Sequence, residues 1–281
     1  MANGTSAVSP LEGILDLQRY PLQDRQAPAY GDLVEAKRAD WRVSGICSLP
    51  GLIQPEAAAR AAAELREAMD GRSFRHRSDH NIFFSDETEG LPPDLAAPRL
   101  CTSHRTLTCD QLPGSIIRRV YEWDPLRAFI QDVLEAPRLY RMADPMACLN
   151  VMAYAEGDGL SWHFDRASFA VTILLQPAEN GGRFEYRRNL RDATGADCEG
   201  IRRLLKGEDE QGRHSTAAAG TMTLFAGFGS AHRVAPVGPG QPRIMAVLGY
   251  MTEPGRQFSA AERPRFYGRA TPEAPPQGQA S

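Results

Sequence analysis

Gly159-Leu160-Ser161-Trp162-His163-Phe164-Asp165 is the stretch on which the reading of this chain turns. Side chains at i and i+2 of an extended strand leave the same face, so His163 and Asp165 can grip one ion from a single strand. A third ligand has to come from another part of the chain, and His232, in Ser230-Ala231-His232-Arg233-Val234, is suited to supply it. Two imidazoles and one carboxylate form the facial triad that leaves positions open on ferrous iron for a co-substrate and O₂. A structural zinc site would use four closed ligands, usually with cysteine. None of the five cysteines, at 47, 101, 109, 148 and 198, is near either half of the pattern.

Arg243 narrows the reading. Between His232 and Arg243 the chain runs through Val237-Gly238-Pro239-Gly240-Gln241-Pro242, which reads as a strand, a Gly/Pro turn and an antiparallel return strand. A hairpin of that kind would fold Arg243 back toward the metal. A guanidinium binds a carboxylate bidentately and keeps its charge when partly buried. The implied molecule is a dicarboxylate that chelates iron at one end and pairs with Arg243 at the other, a shape that 2-oxoglutarate has.

The chain of 281 residues is 42% hydrophobic, enough for one large domain with a sizeable core. A net charge of −3 gives no electrostatic reason to expect a nucleic acid or a membrane surface as partner. The five cysteines contain no CxxC and read as reduced thiols. With neither a basic, apolar leader nor a span long enough for a bilayer, a cytoplasmic location is expected.

Pro55–Met69 has proline in its first turn and an alanine-rich body ending before Gly71, which predicts a helix; Asp124-Pro125 predicts a second, over 124–134, with Asp124 as its N-cap. From about 147 onward, short β-branched and aromatic runs separated by turns predict a mainly β fold with flanking helices, a double-stranded β-helix of the jelly-roll or cupin-like kind. The expected division is a disordered tail over 1–10, a helical and strand support region over 11–140 packed on the barrel, the jelly-roll core over 141–268, and a disordered tail over 269–281. The 187–219 segment interrupts the strands with a short helix near Cys198 to Leu205 and reads as a lid, a substrate-side wall or a plain surface insertion.

Several stretches together resemble the Fe(II)/2-oxoglutarate-dependent oxygenases: Val151-Met-Ala-Tyr-Ala-Glu-Gly157, Trp162-His-Phe-Asp165, Phe169 to Gln176, Gly181 to Tyr186, Gly220 to Phe225 and His232 to Arg243. The wording is similar to a group that includes free amino-acid hydroxylases and the BesD-like lysine halogenases. It covers roughly residues 140 to 270, with a further likeness in Arg75-His-Arg-Ser-Asp-His-Asn-Ile-Phe-Phe84. The resemblance implies Fe(II), 2-oxoglutarate and O₂ as the reacting set, with hydroxylation of a free amino acid or a similar small polar metabolite. Halogenases of this kind replace the carboxylate ligand by glycine or alanine. This chain keeps Asp165, which implies a hydroxylase rather than a halogenase outcome.

Other residues are candidates for support. Strand parity puts Asn150 and Tyr154 on one face, where they would hydrogen-bond 2-oxoglutarate or pack inertly, and Thr223 would offer a hydroxyl. Arg75, Arg77 and Asn81, in the shared N-terminal patch, are expected to clamp a substrate carboxylate, and Arg166 to read its far end. Lone histidines are usually structural or exposed, so His76, His80, His104 and His214 are not read as ligands. Two other readings share the triad: an oxygenase acting on protein or nucleobases, and a jelly-roll protein that binds metal without turnover.

Overall fold

The computed structural model describes residues 10–274. Among them are thirteen strands: β1 Ile46–Leu49, β2 Phe74–His80, β3 Leu100–Thr108, β4 Tyr140–Arg141, β5 Leu149–Tyr154, β6 Leu160–His163, β7 Ala170–Gln176, β8 Phe184–Arg187, β9 Arg213–Ser215, β10 Thr221–Phe225, β11 Ala231–Val234, β12 Arg243–Leu248 and β13 Tyr250–Met251. The helices are α1 Pro28–Ser44, α2 Pro55–Met69, α3 Pro93–Ala96, α4 Ile116–Glu122, α5 Asp124–Val133, α6 Cys198–Lys206 and α7 Arg263–Tyr267. A major sheet of seven strands, in the order β1-β10-β7-β12-β5-β3-β2, faces a minor sheet in the order β6-β11-β8-β9. The expected double-stranded β-helix is the fold the chain adopts.

Alternation along the strands divides the molecule into layers. On β7, Val171 and Ile173 point away from the minor sheet into the main core, whereas Leu174 joins Tyr154, Val234 and Met245 between the sheets. Helices α1, α2, α4 and α5 close the outer side of the major sheet. Helix α2 does so with Ala57, Ala58, Ala61 and Ala62, small residues that permit close approach, anchored by Leu65 and Met69. Proline at its start and Gly71 at φ +74° beyond its end match the boundaries read from the sequence. In α5 the cap is Trp123, and Asp124 is the first helical residue rather than the N-cap.

Three sequence expectations change. Residues 11–140 do more than pack on the barrel, because β1 hydrogen-bonds to β10 and β3 to β5 within the major sheet itself. The expected C-terminal tail is anchored at its start: Arg269 pairs with Asp110 at 2.8 Å, and the Glu273 amide donates to the same carboxylate. Of the expected tails, residues 1–9 and 275–281 lie outside the described residues. Finally, β11 and β12 are not a hydrogen-bonded hairpin. β11 lies between β6 and β8 in the minor sheet and β12 between β5 and β7 in the major one, so the Gly/Pro link crosses between layers. A strand-turn-strand pattern does not say whether the second strand pairs with the first or with the facing sheet. Among the described residues, no helix is long and apolar enough to cross a membrane.

Candidate metal and co-substrate site

His163 on β6 and His232 on β11 stand directly opposite each other in the antiparallel register. Each ring is turned by the same local device. His163 Nδ1 donates to the Ser161 carbonyl at 2.9 Å, and His232 Nδ1 to the Ser230 carbonyl at 3.0 Å. Carbonyls only accept, so both protons sit on Nδ1 and both Nε2 lone pairs are left for a metal. The two Nε2 atoms lie 3.7 and 3.5 Å from Asp165 Oδ1, and the three ligand atoms fall within 4.8 Å of one another.

Electrostatics favour the ligand forms of these groups. Burial, reinforced by the neighbouring His232, pulls His163 down to about 4, so its ring is neutral near pH 7. Burial alone would raise Asp165, but the two facing histidines outweigh it and keep the carboxyl well below the usual range. Asp165 Oδ2 is buried without a hydrogen-bond partner. A buried carboxylate with one oxygen facing two imidazole nitrogens and the other without a partner is costly unless a cation completes it, so the donor set fits a divalent iron.

Arg243 begins β12 and faces the triad's cavity from the opposite sheet, paired in register with Tyr154 on β5. It is 9% exposed, its Nε is buried without a partner, and no carboxylate among the described residues forms an ion pair with it. A buried guanidinium without a counter-ion is a receptor for an anion. Burial holds the Tyr154 phenol protonated, with Arg243 only partly opposing this, and its hydroxyl donates to Met152 Sδ at 3.3 Å. Thr223 also lines the cavity, its hydroxyl 3.2 Å from that of Ser48. Asn150 lines the wall but is engaged: its amide donates to the Met146 and Leu149 carbonyls and its oxygen accepts from the Tyr267 hydroxyl.

The N-terminal patch is arranged differently from the sequence expectation. His76 and Ser78 line the cavity, and Arg75 and Arg77, on the other face of β2, do not. Arg75 makes a bidentate pair with buried Asp158, at 2.7 and 2.6 Å. Arg77 borders a separate groove of about 1120 Å³ on the outer side of the minor sheet. Asn81 closes its own turn, accepting from the Phe83 and Ser85 amides and donating to the Ser85 and Ala96 carbonyls. None of the three reaches the metal cavity. Arg166 does reach its mouth, where it donates to the Phe84 carbonyl at 3.1 Å and approaches Glu262 to 3.8 Å.

The cavity, about 600 Å³, also has walls that sequence reading missed. Phe84 sits at φ 49°, a left-handed conformation unusual for a bulky residue, with its ring stacked on His80 at 3.8 Å and edge-on to His163 at 5.0 Å. Buried His76 and His104 stack at 4.9 Å, and Phe258, Phe266 and Tyr267 from the C-terminal segment complete that side. Alternation on β2 was a usable signal for His76. Nothing in the local sequence marks the C-terminal aromatics. In the 187–219 segment, α6 packs Ile201 and Leu204 against Ile82, Leu95 and Phe164, and Ser215 and Ala217 line the cavity, so part of the segment walls it.

A paired-histidine and carboxylate centre inside two antiparallel sheets, with a buried cation opposite, defines the class of 2-oxoglutarate-dependent oxygenase folds. Solved structures similar to this chain share its fold. One is the epimerase SnoN in complex with Fe3+, alpha ketoglutarate and nogalamycin RO, at 17% identity, with 79% of this chain and 84% of that chain covered and a TM-score of 0.53. Another is AviO1 from Streptomyces viridochromogenes Tue57, at 13% identity, 79% and 96% coverage and a TM-score of 0.54. HygX from Streptomyces hygroscopicus, with nickel, 2-oxoglutarate and hygromycin B bound, is 14% identical over 80% and 88%, with a TM-score of 0.51. The chain belongs to the Halogenase D family, whose model matches residues 30–263. A search of curated proteins found no match.

Proposed function

We propose that this chain is an Fe(II)- and 2-oxoglutarate-dependent hydroxylase of a small polar metabolite, a free amino acid or a derivative of one. The observation that carries the reading is the pairing of two incomplete buried groups in one cavity: the Asp165 carboxylate, with Oδ1 facing both histidines and Oδ2 unpartnered, and the unpaired Arg243 opposite. His163, Asp165 and His232 would hold Fe(II). Arg243 would take the distal carboxylate of 2-oxoglutarate, with the Tyr154 and Thr223 hydroxyls as neighbouring donors. When bound, iron, 2-oxoglutarate and O₂ supply the oxidant that converts a C–H bond to C–OH, with succinate and CO₂ as the other products.

The protein's own part is positioning and exclusion. The Nδ1 bonds fix the ring orientation of both histidines before metal arrives. Phe84 walls the His163 side, and the apolar faces of Leu174, Val234 and Met245 keep water from the co-substrate end. A cavity of about 600 Å³ suits a small molecule beside the co-substrate, and Arg166 at its mouth offers a cation to an acidic or polar substrate group.

The family name points to halogenation, and Asp165 points away from it. Where halogenases of this kind carry glycine or alanine, this chain has a carboxylate facing both histidine Nε2 atoms. The site for halide is thereby taken, which supports return of hydroxyl to carbon. The test is an anaerobic incubation of protein with Fe(II), 2-oxoglutarate and a panel of free amino acids, opened to O₂ in the presence of chloride. Succinate release and a product heavier by one oxygen are expected. A chlorinated product would overturn the hydroxylase reading, and absence of succinate with every compound would favour metal binding without turnover.

A further inference from the structure

We propose that Arg191 is a positioning residue for the metal centre: it sets the Asp165 main chain, and so the carboxylate, in the place where iron is captured. The inference rests on the metal-site reading above and adds to it a residue outside the triad and the co-substrate pocket.

The two histidines are fixed by strand pairing and their Nδ1 bonds, but Asp165 has neither support. It follows the end of β6 in irregular backbone. Its amide donates to the Gly227 carbonyl at 3.1 Å, and its own carbonyl accepts from Arg191 Nη2. Arg191 Nε donates in turn to the Phe228 carbonyl at 2.7 Å. One planar guanidinium thus bridges the carboxylate-bearing turn and the loop that runs into His232. It is held flat by two rings, 4.6 Å from the Phe164 centroid and 4.0 Å from that of Phe228.

Charge makes this an unusual way to tie two loops. Among the described residues Arg191 forms no ion pair, and both of its side-chain hydrogen bonds go to neutral main-chain carbonyls. A partly buried cation of this kind is costly where a neutral amide could make the same bonds. Its position beside Asp165 gives the charge a use: it offsets the carboxylate without bonding to either of its oxygens, which leaves Oδ1 facing both histidine Nε2 atoms. Arg187, four residues earlier, is the contrast. It is spent on an ion pair with buried Asp209 at 3.0 Å and has no bond to either loop.

Metal-free protein titrated with Co(II), whose visible spectrum reports ligand geometry, separates these roles. Arg191→Gln should weaken Co(II) binding on the order of tenfold or more and change the spectrum at saturation. Arg191→Lys, which keeps the cation but cannot reach both carbonyls, should fall between. Arg187→Gln should lower the unfolding temperature of the metal-free protein without changing Co(II) affinity. Wild-type affinity and spectrum in Arg191→Gln, or an equal loss in Arg187→Gln, would overturn the proposal. If Arg191→Gln does not fold, the Lys variant decides by the same readings. Absence of Co(II) binding by the wild-type chain would remove the metal site itself, a result distinct from loss of the clamp alone.

Discussion

Gly227 lies so close to Asp165 that a methyl group placed on its Cα would stand 1.8 Å from Asp165 Oδ2. Its backbone does not require glycine, since it is not among the positive-φ residues. The constraint is purely the space that the carboxylate occupies. Gly227→Ala should therefore push Asp165 out of the centre and lose metal affinity about as severely as Asp165→Ala. In an Asp165→Gly background the same alanine should cost little. A double-mutant cycle of Co(II) affinity and thermal stability checks this, and additive effects would show that Gly227 acts through something other than the carboxylate.

Arg243 should oppose stability and serve binding. Without a carboxylate partner it is a buried charge left uncompensated, so Arg243→Met should raise the unfolding temperature of the ligand-free protein. The same change should weaken 2-oxoglutarate by about 2–5 kcal/mol, and Arg243→Lys should recover only part of that loss. Differential scanning calorimetry with and without 2-oxoglutarate reads both. Unchanged co-substrate affinity would mean that another group holds the distal carboxylate.

Asp165→Gly should abolish most hydroxylation and open a coordination position to halide. Mass spectrometry at high chloride follows the outcome: a trace of chlorinated product is compatible with the reading, and hydroxylation at the wild-type rate would sink Asp165 as a ligand.

Acid should destabilise the metal-free protein through His104. Burial is the largest cause that brings this histidine from 6.5 down to about 3, so between those values the unfolded chain carries a proton that the folded chain does not. Stability then falls as pH falls, by about 1.4 kcal/mol per unit for this one group. The loss is complete only below the folded value. His104→Asn should flatten the slope of stability against pH across that window, measured by urea unfolding. An unchanged slope would assign the acid sensitivity elsewhere.

What could be read from the sequence follows the range over which each signal acts. His163 and Asp165 were legible because two-residue periodicity is local, and the helix from Pro55 was legible because its proline, alanines and terminal glycine lie in one segment. The same periodicity, applied to β2, would have preferred His76 and Ser78 to Arg75 and Arg77 on the cavity face. Arg191 and Gly227 were hidden because each acts on Asp165 through contacts tens of residues apart in the chain. The crossing between β11 and β12 was hidden for another reason: turn chemistry specifies a reversal of direction but not the layer to which the chain returns.

The pairing of β1 with β10 and of β3 with β5 has a consequence for how the molecule is made. The first third of the chain supplies both borders of the major sheet, β1 at one side and β2 at the other. Ile46 is synthesised long before its partner Phe225, so the β1 border cannot close until the ribosome has delivered nearly the whole domain, whereas the β2 border needs only β3 and β5. A chain shortened from its front would expose the bare hydrogen-bonding edges of β10 and β5, surfaces prone to join other chains. It is expected to collect as aggregate rather than survive as a smaller enzyme.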